Sequence, residues 1–267
     1  MAASELTTEQ EFKIGIQKKG HLADATLSLL RRRGFMFDNP TNGGLSLRVS
    51  NKTARLILLR DDDIPPLVAS GILQLGIVGS DLTDEIKASP EPQAESSIIV
   101  FEPALEIGRC RLAVGVPIDS SLSQLAELEG GTVTTKYPYT FAEELRRRRG
   151  GLPEEFRVSV VRLHGSVEVG PQLVDTYPTA VVDIVNSGRT MAENRLRIIT
   201  TLRQYSAVLI GIDPNNLEPN RRKTYRHLVN SITGTEINGH IRGGNLVKPI
   251  ESGSERFGTG YEMFDNV

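Results

Sequence analysis

The amino-acid sequence predicts an α/β protein built from parallel sheet layers. Short apolar runs of the kind found in buried strands alternate along the chain with stretches whose apolar residues recur at helical spacing. Several of these runs pass straight into loops of glycine and polar residues, as strands do where they lead into helices. Such alternation is typical of parallel sheets covered by helices.

The first part of the chain contains three predicted strands, at residues 12–16, 56–59 and 73–78. The helix after the first strand has one apolar face, formed by Leu22, Ala25, Thr26, Leu29 and Leu30. Asp63 can cap the helix after the second strand. The pattern begins again after Arg109, so we predict a second unit of the same kind.

The rest of the chain continues the alternation of strands and helices. Strands are predicted at residues 112–116, 132–135, 157–163, 180–185 and 206–212. Helices are predicted at residues 141–149, 191–197 and 221–232.

The segment 180–190 indicates a binding site for a sugar phosphate. Asp183 is near the carboxyl end of its strand, where open α/β sheets bind ligands, and it can accept hydrogen bonds from sugar hydroxyls. In the following loop, Gly188 allows close approach of the backbone to an anion, and Arg189 and Thr190 add donors. An ordinary strand-to-helix turn capped by a loop side chain is the alternative interpretation.

The two preceding strands also end in polar side chains. One leads into Lys136 and Tyr137, and the other leads into Gly165 and Ser166, with Glu168 close behind. Because the carboxyl ends of parallel strands meet at one edge of a sheet, we expect these residues to share that edge with the 180–190 segment.

Four further segments, at residues 14–22, 60–65, 75–81 and 108–112, complete a set of motifs that resembles ATP phosphoribosyltransferase, the first enzyme of histidine biosynthesis. The motifs occur in the order of that family and extend over roughly residues 11 to 212. An ordered set of motifs is far more specific than a single glycine-rich loop.

The resemblance implies a two-lobed fold like that of the periplasmic binding proteins. Each lobe would be a mostly parallel sheet flanked by helices, with the active site in the cleft. The expected parts are a first lobe at 1–109, a second lobe with the phosphoribosyl pyrophosphate loop at 110–200, a return to lobe one at 201–232, and an irregular tail at 233–267.

The family reaction joins N1 of the ATP adenine to phosphoribosyl pyrophosphate and releases pyrophosphate. N1 already carries a lone pair, so we expect that the reaction needs no nucleophilic or basic side chain. We expect Lys18, Arg109 and Glu168 to stabilise charge in the transition state. Mg²⁺ is the expected cofactor, held mainly through the substrate phosphates.

The resemblance also implies which residues contact the substrates. They are Lys19, Gly20, His21, Asp81, Lys136, Tyr137, Gly165, Ser166, Asp183, Ser187, Gly188, Arg189 and Thr190. Residues 187–190 would hold the 5′-phosphate and Asp183 the ribose hydroxyls. Solvated loop cations are the alternative for Lys18 and Lys19, and closure of a turn with Pro138 is the alternative for Tyr137.

Two positions depart from the family pattern. Many members have Arg at the place of His21 and Gly at the place of Arg195, so the ATP side of the site is expected to differ. A paralogue in a purine-derived nucleoside antibiotic pathway, another purine acceptor, and a catalytically silent regulatory paralogue are the alternative functions.

The chain of 267 residues has a net charge of −2 and one cysteine, Cys110, which excludes an internal disulfide. Nothing in the composition indicates a nucleic-acid or membrane partner, and we expect a cytoplasmic enzyme. No histidine-binding regulatory domain is recognisable, so feedback through one is not expected, and a separate regulatory subunit stays open. The resemblance suggests a homo-oligomer, a dimer or larger.

Overall fold

The chain is divided into two structural units in the computed structural model of the protein. The first contains Met1–Gly108 and Ser206–Pro249, and the second contains Arg109–Tyr205 and Ile250–Val267. The structure describes residues 11–39, 43–90, 97–235, 243–245 and 263–264. We expected the chain to return to the first lobe at residue 201. In the structure, residue 201 lies inside a strand of the second unit. Most of the expected tail, 233–267, lies outside the described residues.

Within the described residues, the sheet of the first unit has seven strands, which carry labels numbered along the whole chain. They are β1 (Phe12–Gln17), β2 (Ser46–Val49), β3 (Ala54–Leu59), β4 (Leu75–Gly79), β5 (Ile99–Phe101), β11 (Ala207–Gly211) and β12 (Gly243–Asn245). Their order is β12-β5-β11-β4-β1-β3-β2. β1 pairs in parallel with β3 and β4, whereas the outer pairs are antiparallel.

Helices cover both faces of this sheet. They are α1 (His21–Arg32), α2 (Ile64–Ala69), α3 (Ser80–Ala88) and α7 (Pro219–Thr233). Leu30 of α1 and Tyr225 of α7 pack in the larger core on one face. Ile64 of α2 and Ile86 of α3 pack on the other. Both faces are thus removed from water, which explains the nearly continuous apolar runs of β1, β3 and β4.

In the part of the second unit that the structure describes, the sheet has six strands. They are β6 (Cys110–Pro117), β7 (Thr132–Thr135), β8 (Ser159–Arg162), β9 (Thr179–Val185), β10 (Leu196–Tyr205) and β13 (Met263–Phe264). Their order is β10-β6-β9-β7-β8-β13. β7 pairs in parallel with β8 and β9, and β6 and β10 add antiparallel pairs.

The two faces of the second sheet carry different cores. α4 (Pro138–Arg147) covers the first face, where Phe141 packs on Val114 and Val182. The opposite face carries α6 (Arg189–Glu193), whose Met191 packs with Val181 in a smaller core. A short helix, α5 (Gly170–Leu173), connects β8 to β9. None of the helices in the described ranges is both long and apolar enough to cross a lipid bilayer.

The predicted α/β class is confirmed, with one correction to the sheets. Both sheets are mixed: β3, β1 and β4 are parallel in the first sheet, and β9, β7, β8 and β13 are parallel in the second, so it is the first sheet that departs from the mostly parallel arrangement we expected. A second correction concerns the helix predicted at residues 191–197. This stretch contains the end of α6 and the start of β10, because Arg195, with φ of 56°, turns the chain out of the helix.

Candidate functional site

The carboxyl ends of β1, β3 and β4 meet at one edge of the first sheet, since the three strands are parallel. The chain passes from β1 to β3 on one side and then to β4 on the other side of β1. Open α/β sheets bind ligands outside such a reversal of strand order. Lys18, Lys19, Gly20 and His21 follow β1, and Asp81 follows β4, so these predicted residues share that edge.

Hydrogen bonds from Gln17 and Lys18 hold the end of β1 between its neighbours. The Lys18 N–H donates to the Leu59 carbonyl at 2.8 Å. The buried amide of Gln17 donates from Nε2 to the Ile77 carbonyl at 2.9 Å, which links β1 to β4 beyond their last paired residues. Our sequence analysis did not single out Gln17, although a polar residue that ends an apolar strand is a recognisable signal.

The loop after β1 leads into the twelve-residue helix α1. Gly20 has φ of 97°, which favours glycine. It is the N-cap residue of α1, and no side chain caps the start of this helix. Lys18, Lys19 and His21 are all exposed around this helix start. Main-chain N–H groups and cationic side chains together form an environment suited to a phosphate group.

Two acids near the same edge lie at helix starts. Asp81 is half-buried in the first turn of α3, and its carboxylate fills the space that a side chain on Gly79 would need. An acid there is stabilised by the helix dipole. Asp63 occupies the N-cap position of α2 but makes no side-chain capping bond, so the predicted cap interaction is absent.

The second sheet repeats the reversal of strand order. The chain passes from β7 to β8 on one side and then to β9 on the other side of β7. Thr135 pairs with Val182, so the next pair in this register is Lys136 and Asp183. The structure thus brings Lys136 and the half-buried Asp183 together at the carboxyl ends of these strands.

The loop after β9 leads into α6, which begins at Arg189, two residues before the predicted start. Gly188 has φ of 84°. Ser187 Oγ accepts a hydrogen bond from the Arg189 N–H at 3.3 Å. The exposed Arg189 guanidinium lies 3.6 Å from the Glu193 carboxylate, and Thr190 is exposed. The loop therefore presents a cation and a hydroxyl that an anion can reach.

The turn after β8 contains Gly165, Ser166 and Glu168. Ser166 has φ of 51° and ψ of 41°, a left-handed conformation that is uncommon outside glycine. Val167 is buried in the small core on the face of β9 that carries Asp183. The turn is thus anchored on the same side of the sheet as Asp183, with Ser166 exposed and Glu168 half-buried.

Arg109 lies immediately before β6. In the antiparallel pairing of β6 with β9, Arg111 is opposite Val185. Arg109 is therefore next to the residues that follow Val185, at the start of the loop that leads to α6. Its side chain is exposed, so it can add a second cation to this edge of the sheet.

The structure gives Tyr137 a role in the core. Its side chain is only 6% exposed and packs with Phe141 on the face of the sheet opposite Asp183. Its N–H donates to Thr135 Oγ1 at 2.9 Å. This placement leaves little of the ring for stacking on adenine. It fits the alternative, closure of the turn before Pro138.

Arg195 lies far from the predicted phosphate loop. Leu196, the next residue, pairs with Pro117 at the carboxyl end of β6, whereas the start of β6 pairs with the end of β9. Arg195 is therefore at the opposite edge of the sheet from the phosphate loop, and the expectation that it alters the ATP side of the site stays a prediction. Its φ of 56° explains why glycine suits this position in related sequences.

Metal ligands are sparse in the described part of the chain, which contains no group of three or more His, Cys, Asp or Glu side chains placed to hold a metal ion. Mg²⁺ usually keeps several waters and is bound through one or two carboxylates together with substrate phosphates. The half-buried Asp183 and Glu168 provide carboxylates of that kind. The residues present therefore suit a magnesium ion carried by a substrate.

Comparison with known proteins identifies the family. The family model described as HisG, ATP phosphoribosyltransferase, matches residues 60–234. An ATP phosphoribosyltransferase from Rhodopirellula baltica is 37% identical over 198 residues, which are 74% of this chain and 60% of that protein. The chain thus spans about three fifths of the length of this curated relative.

Solved structures support the α/β fold. The ATP phosphoribosyl transferase (HisG:HisZ) complex from Thermotoga maritima matches with a TM-score of 0.58 at 20% identity, over 84% of this chain and 97% of the other. The alkanesulfonate-binding protein SsuA from Xanthomonas axonopodis pv. citri matches with a TM-score of 0.50 at 12% identity, over 84% and 72% of the two chains.

Proposed function

Because the chain belongs to the ATP phosphoribosyltransferase family, we propose that it transfers phosphoribosyl from phosphoribosyl pyrophosphate to N1 of the ATP adenine. The N1 lone pair forms the new bond to the anomeric carbon while the bond from that carbon to pyrophosphate breaks. Pyrophosphate leaves with the electron pair, and the adenine amino group then loses a proton. The observation that carries the proposal is the family match, which includes the loops after β8 and β9.

The second unit provides the contacts to phosphoribosyl pyrophosphate in this proposal. Residues 187–190 hold the 5′-phosphate, and Asp183 accepts hydrogen bonds from the ribose hydroxyls. Lys136, beside Asp183 in the register, and Arg109, beside the loop, supply positive charge. Ser166 and Glu168 contact the ribose from the neighbouring turn, and Glu168 favours the positive charge that grows on the sugar.

The first unit provides cations for the pyrophosphate or for the triphosphate of ATP. Lys18, Lys19 and His21 surround the start of α1, and their exposure leaves them accessible to a ligand. Gly20 lets the backbone approach the phosphate, and Asp81 lies at the neighbouring helix start. His21 cannot make the planar, forked contact to a phosphate that an arginine would make at this position.

Magnesium completes the proposed site as a cofactor that arrives on the substrate phosphates. When bound there, it supplies positive charge that favours the departure of pyrophosphate. Asp183 and Glu168 are the carboxylates at this edge of the second sheet that would hold its water shell.

We also propose that the enzyme is a homo-oligomer in the cytoplasm, where its substrates are made. The Thermotoga maritima relative was solved as a HisG:HisZ complex, which supports a separate regulatory subunit for this chain as well. Light scattering of the purified protein, alone and with a subunit of that kind, tests both assemblies. A monomer in both samples would contradict them.

An assay with ATP, phosphoribosyl pyrophosphate and magnesium tests the reaction. We expect pyrophosphate release together with a nucleotide whose mass equals ATP plus one phosphoribosyl group, and loss of both when magnesium is chelated. Pyrophosphate release with AMP or another purine, and not with ATP, would mean that this purine is the acceptor. Binding of phosphoribosyl pyrophosphate without turnover of any purine would support the regulatory paralogue.

A further inference from the structure

Thr134 connects the centre of the second sheet to the turn at residues 165–170. It lies on β7 with no exposed surface. Its hydroxyl donates to the Val167 carbonyl at 3.3 Å. The same carbonyl accepts the N–H of Gly170. One carbonyl of the turn is therefore held from two directions, by the sheet and by the start of α5.

Gly170 packs directly on Thr134. A methyl group built on Gly170 would overlap the Thr134 hydroxyl and would lie 2.5 Å from its Cβ and 2.6 Å from its Cγ2. The φ of Gly170 is −47°, a helical value that any residue adopts. Glycine is needed here for space, because the body of Thr134 fills the volume that a side chain would occupy.

This contact lies on the face of the sheet that carries Asp183. Thr134 pairs with Val181, and Asp183 is two residues further along the same strand face. Val167 and Val181 share the small core on that face. The exposed Ser166 is held in its left-handed conformation beside this anchored residue, although such a conformation is unfavourable for residues other than glycine.

We propose that Thr134 is a positioning residue for phosphoribosyl pyrophosphate. Its hydroxyl and its close packing on Gly170 set where the Ser166 and Glu168 side chains stand relative to Asp183. The inference rests on the proposed function, since it assigns this turn to the ribose. Thr134 itself is fully buried and does not touch the substrate.

Thr134→Val tests the inference, because it keeps the shape of the side chain and removes the hydroxyl. We expect the Kd for phosphoribosyl pyrophosphate, measured by calorimetry, to rise about three- to ten-fold, as for one lost neutral hydrogen bond. The KM for phosphoribosyl pyrophosphate should rise with it, and the KM for ATP should not. Thr134→Ser, which keeps the donor, should restore most of the affinity.

Thr132→Val is the matched control. Thr132 is buried on the same face of β7 and accepts one hydrogen bond, from Thr176 Oγ1 at 2.8 Å, at the amino end of the strand. We expect it to lower the melting temperature without changing the affinity for phosphoribosyl pyrophosphate. Equal loss of affinity in the Thr132 and Thr134 variants would assign both residues to stability alone and overturn the inference.

A double variant tests the packing part of the argument. Gly170→Ala should impair binding of phosphoribosyl pyrophosphate severely in the wild-type background and less when Thr134→Gly has removed the Cβ, the hydroxyl and the methyl group that the new side chain would overlap. Additive effects would contradict the packing argument. Wild-type protein that makes no adduct but binds phosphoribosyl pyrophosphate would overturn only the proposed reaction. An active wild type with an unaffected Thr134→Val variant would overturn only the role of Thr134.

Discussion

Arg203 on β10 donates two hydrogen bonds to Oε1 of Glu144 on α4, from Nε at 2.8 Å and from Nη2 at 2.6 Å. The Glu144 side chain is only 2% exposed, and Arg147 and Arg148 also pair with it. A single buried carboxylate therefore joins the end of α4 to the edge strand of the second sheet.

We expect Glu144→Ala to lower the free energy of unfolding by about 3 kcal/mol, because Arg203 would lose its buried partner. Glu143→Ala is the control, since Glu143 is 39% exposed and contacts the same guanidinium at 3.0 Å. Its cost should stay below about 1 kcal/mol. Urea unfolding of the two variants measures both values, and equal costs would show that burial of Glu144 has no special effect.

Substitutions in the loop after β9 test the proposed 5′-phosphate site. Arg189→Ala and Thr190→Ala should each weaken binding of phosphoribosyl pyrophosphate by about 1–3 kcal/mol, as expected for a lost hydrogen bond to a charged group. Glu193→Ala is the control, because it removes the exposed partner of Arg189 and leaves the guanidinium free to bind. Titration calorimetry measures the affinity for phosphoribosyl pyrophosphate. If this affinity is unchanged in both loop variants, the 5′-phosphate binds elsewhere.

Arg195→Gly should stabilise the protein. Relief of the left-handed conformation outweighs the added entropy of the unfolded chain, so we expect a gain of about 0.5–1 kcal/mol. Arg157→Gly is the control, since Arg157 is exposed and has no positive φ, and it should not stabilise. Urea unfolding measures the gain. A preference for a different purine acceptor in the Arg195 variant would contradict the distant location that we infer.

The stability of the first unit should depend on Tyr225 at high pH. Burial, and secondarily the charge of Asp213, raise the pKa of the Tyr225 phenol well above its ordinary value of 10.0. The folded state thus keeps its proton above about pH 10, where the unfolded chain loses it, so the free energy of unfolding falls as pH rises. Below that pH this contribution is constant.

Tyr225→Phe removes the titrating group and should flatten the decline above about pH 10, at a cost of about 1 kcal/mol at neutral pH from the hydrogen bond to the Ile212 carbonyl at 2.8 Å. Tyr177→Phe is the control, because Tyr177 is 68% exposed and should leave the slope unchanged. Chemical unfolding over a series of alkaline buffers provides the measurement. An unaltered slope in the Tyr225 variant would contradict the prediction.

Strands that are buried on both faces were predictable from the sequence. β7 was predicted at its observed bounds, and β9 begins only one residue before the predicted start. β10 was missed because it lies at the edge of its sheet and mixes apolar residues with Arg197, Arg203 and Gln204. An edge strand is paired on one side only, so part of it stays exposed to water. Its apolar residues therefore show no clear period along the sequence.

The candidate site was predictable in position but not in the direction of its side chains. Polar loops after parallel strands indicated which residues share a sheet edge. Lys136 and Tyr137 are adjacent in sequence, however, and the sequence alone does not say which of them points toward α4. That choice follows from the core, because the face of the sheet that holds Phe141 accommodates the aromatic ring.

The strand order of the first sheet has a consequence for synthesis of the chain. β11 separates β4 from β5, yet it follows all of β6 to β10 in the sequence. The first sheet therefore stays incomplete on the ribosome until β11 has been made, while the five strands β6 to β10 emerge as one uninterrupted stretch. Since units fold as their segments become available, strands β6 to β10 of the second unit are all available before the first unit can join β4 to β5 through β11.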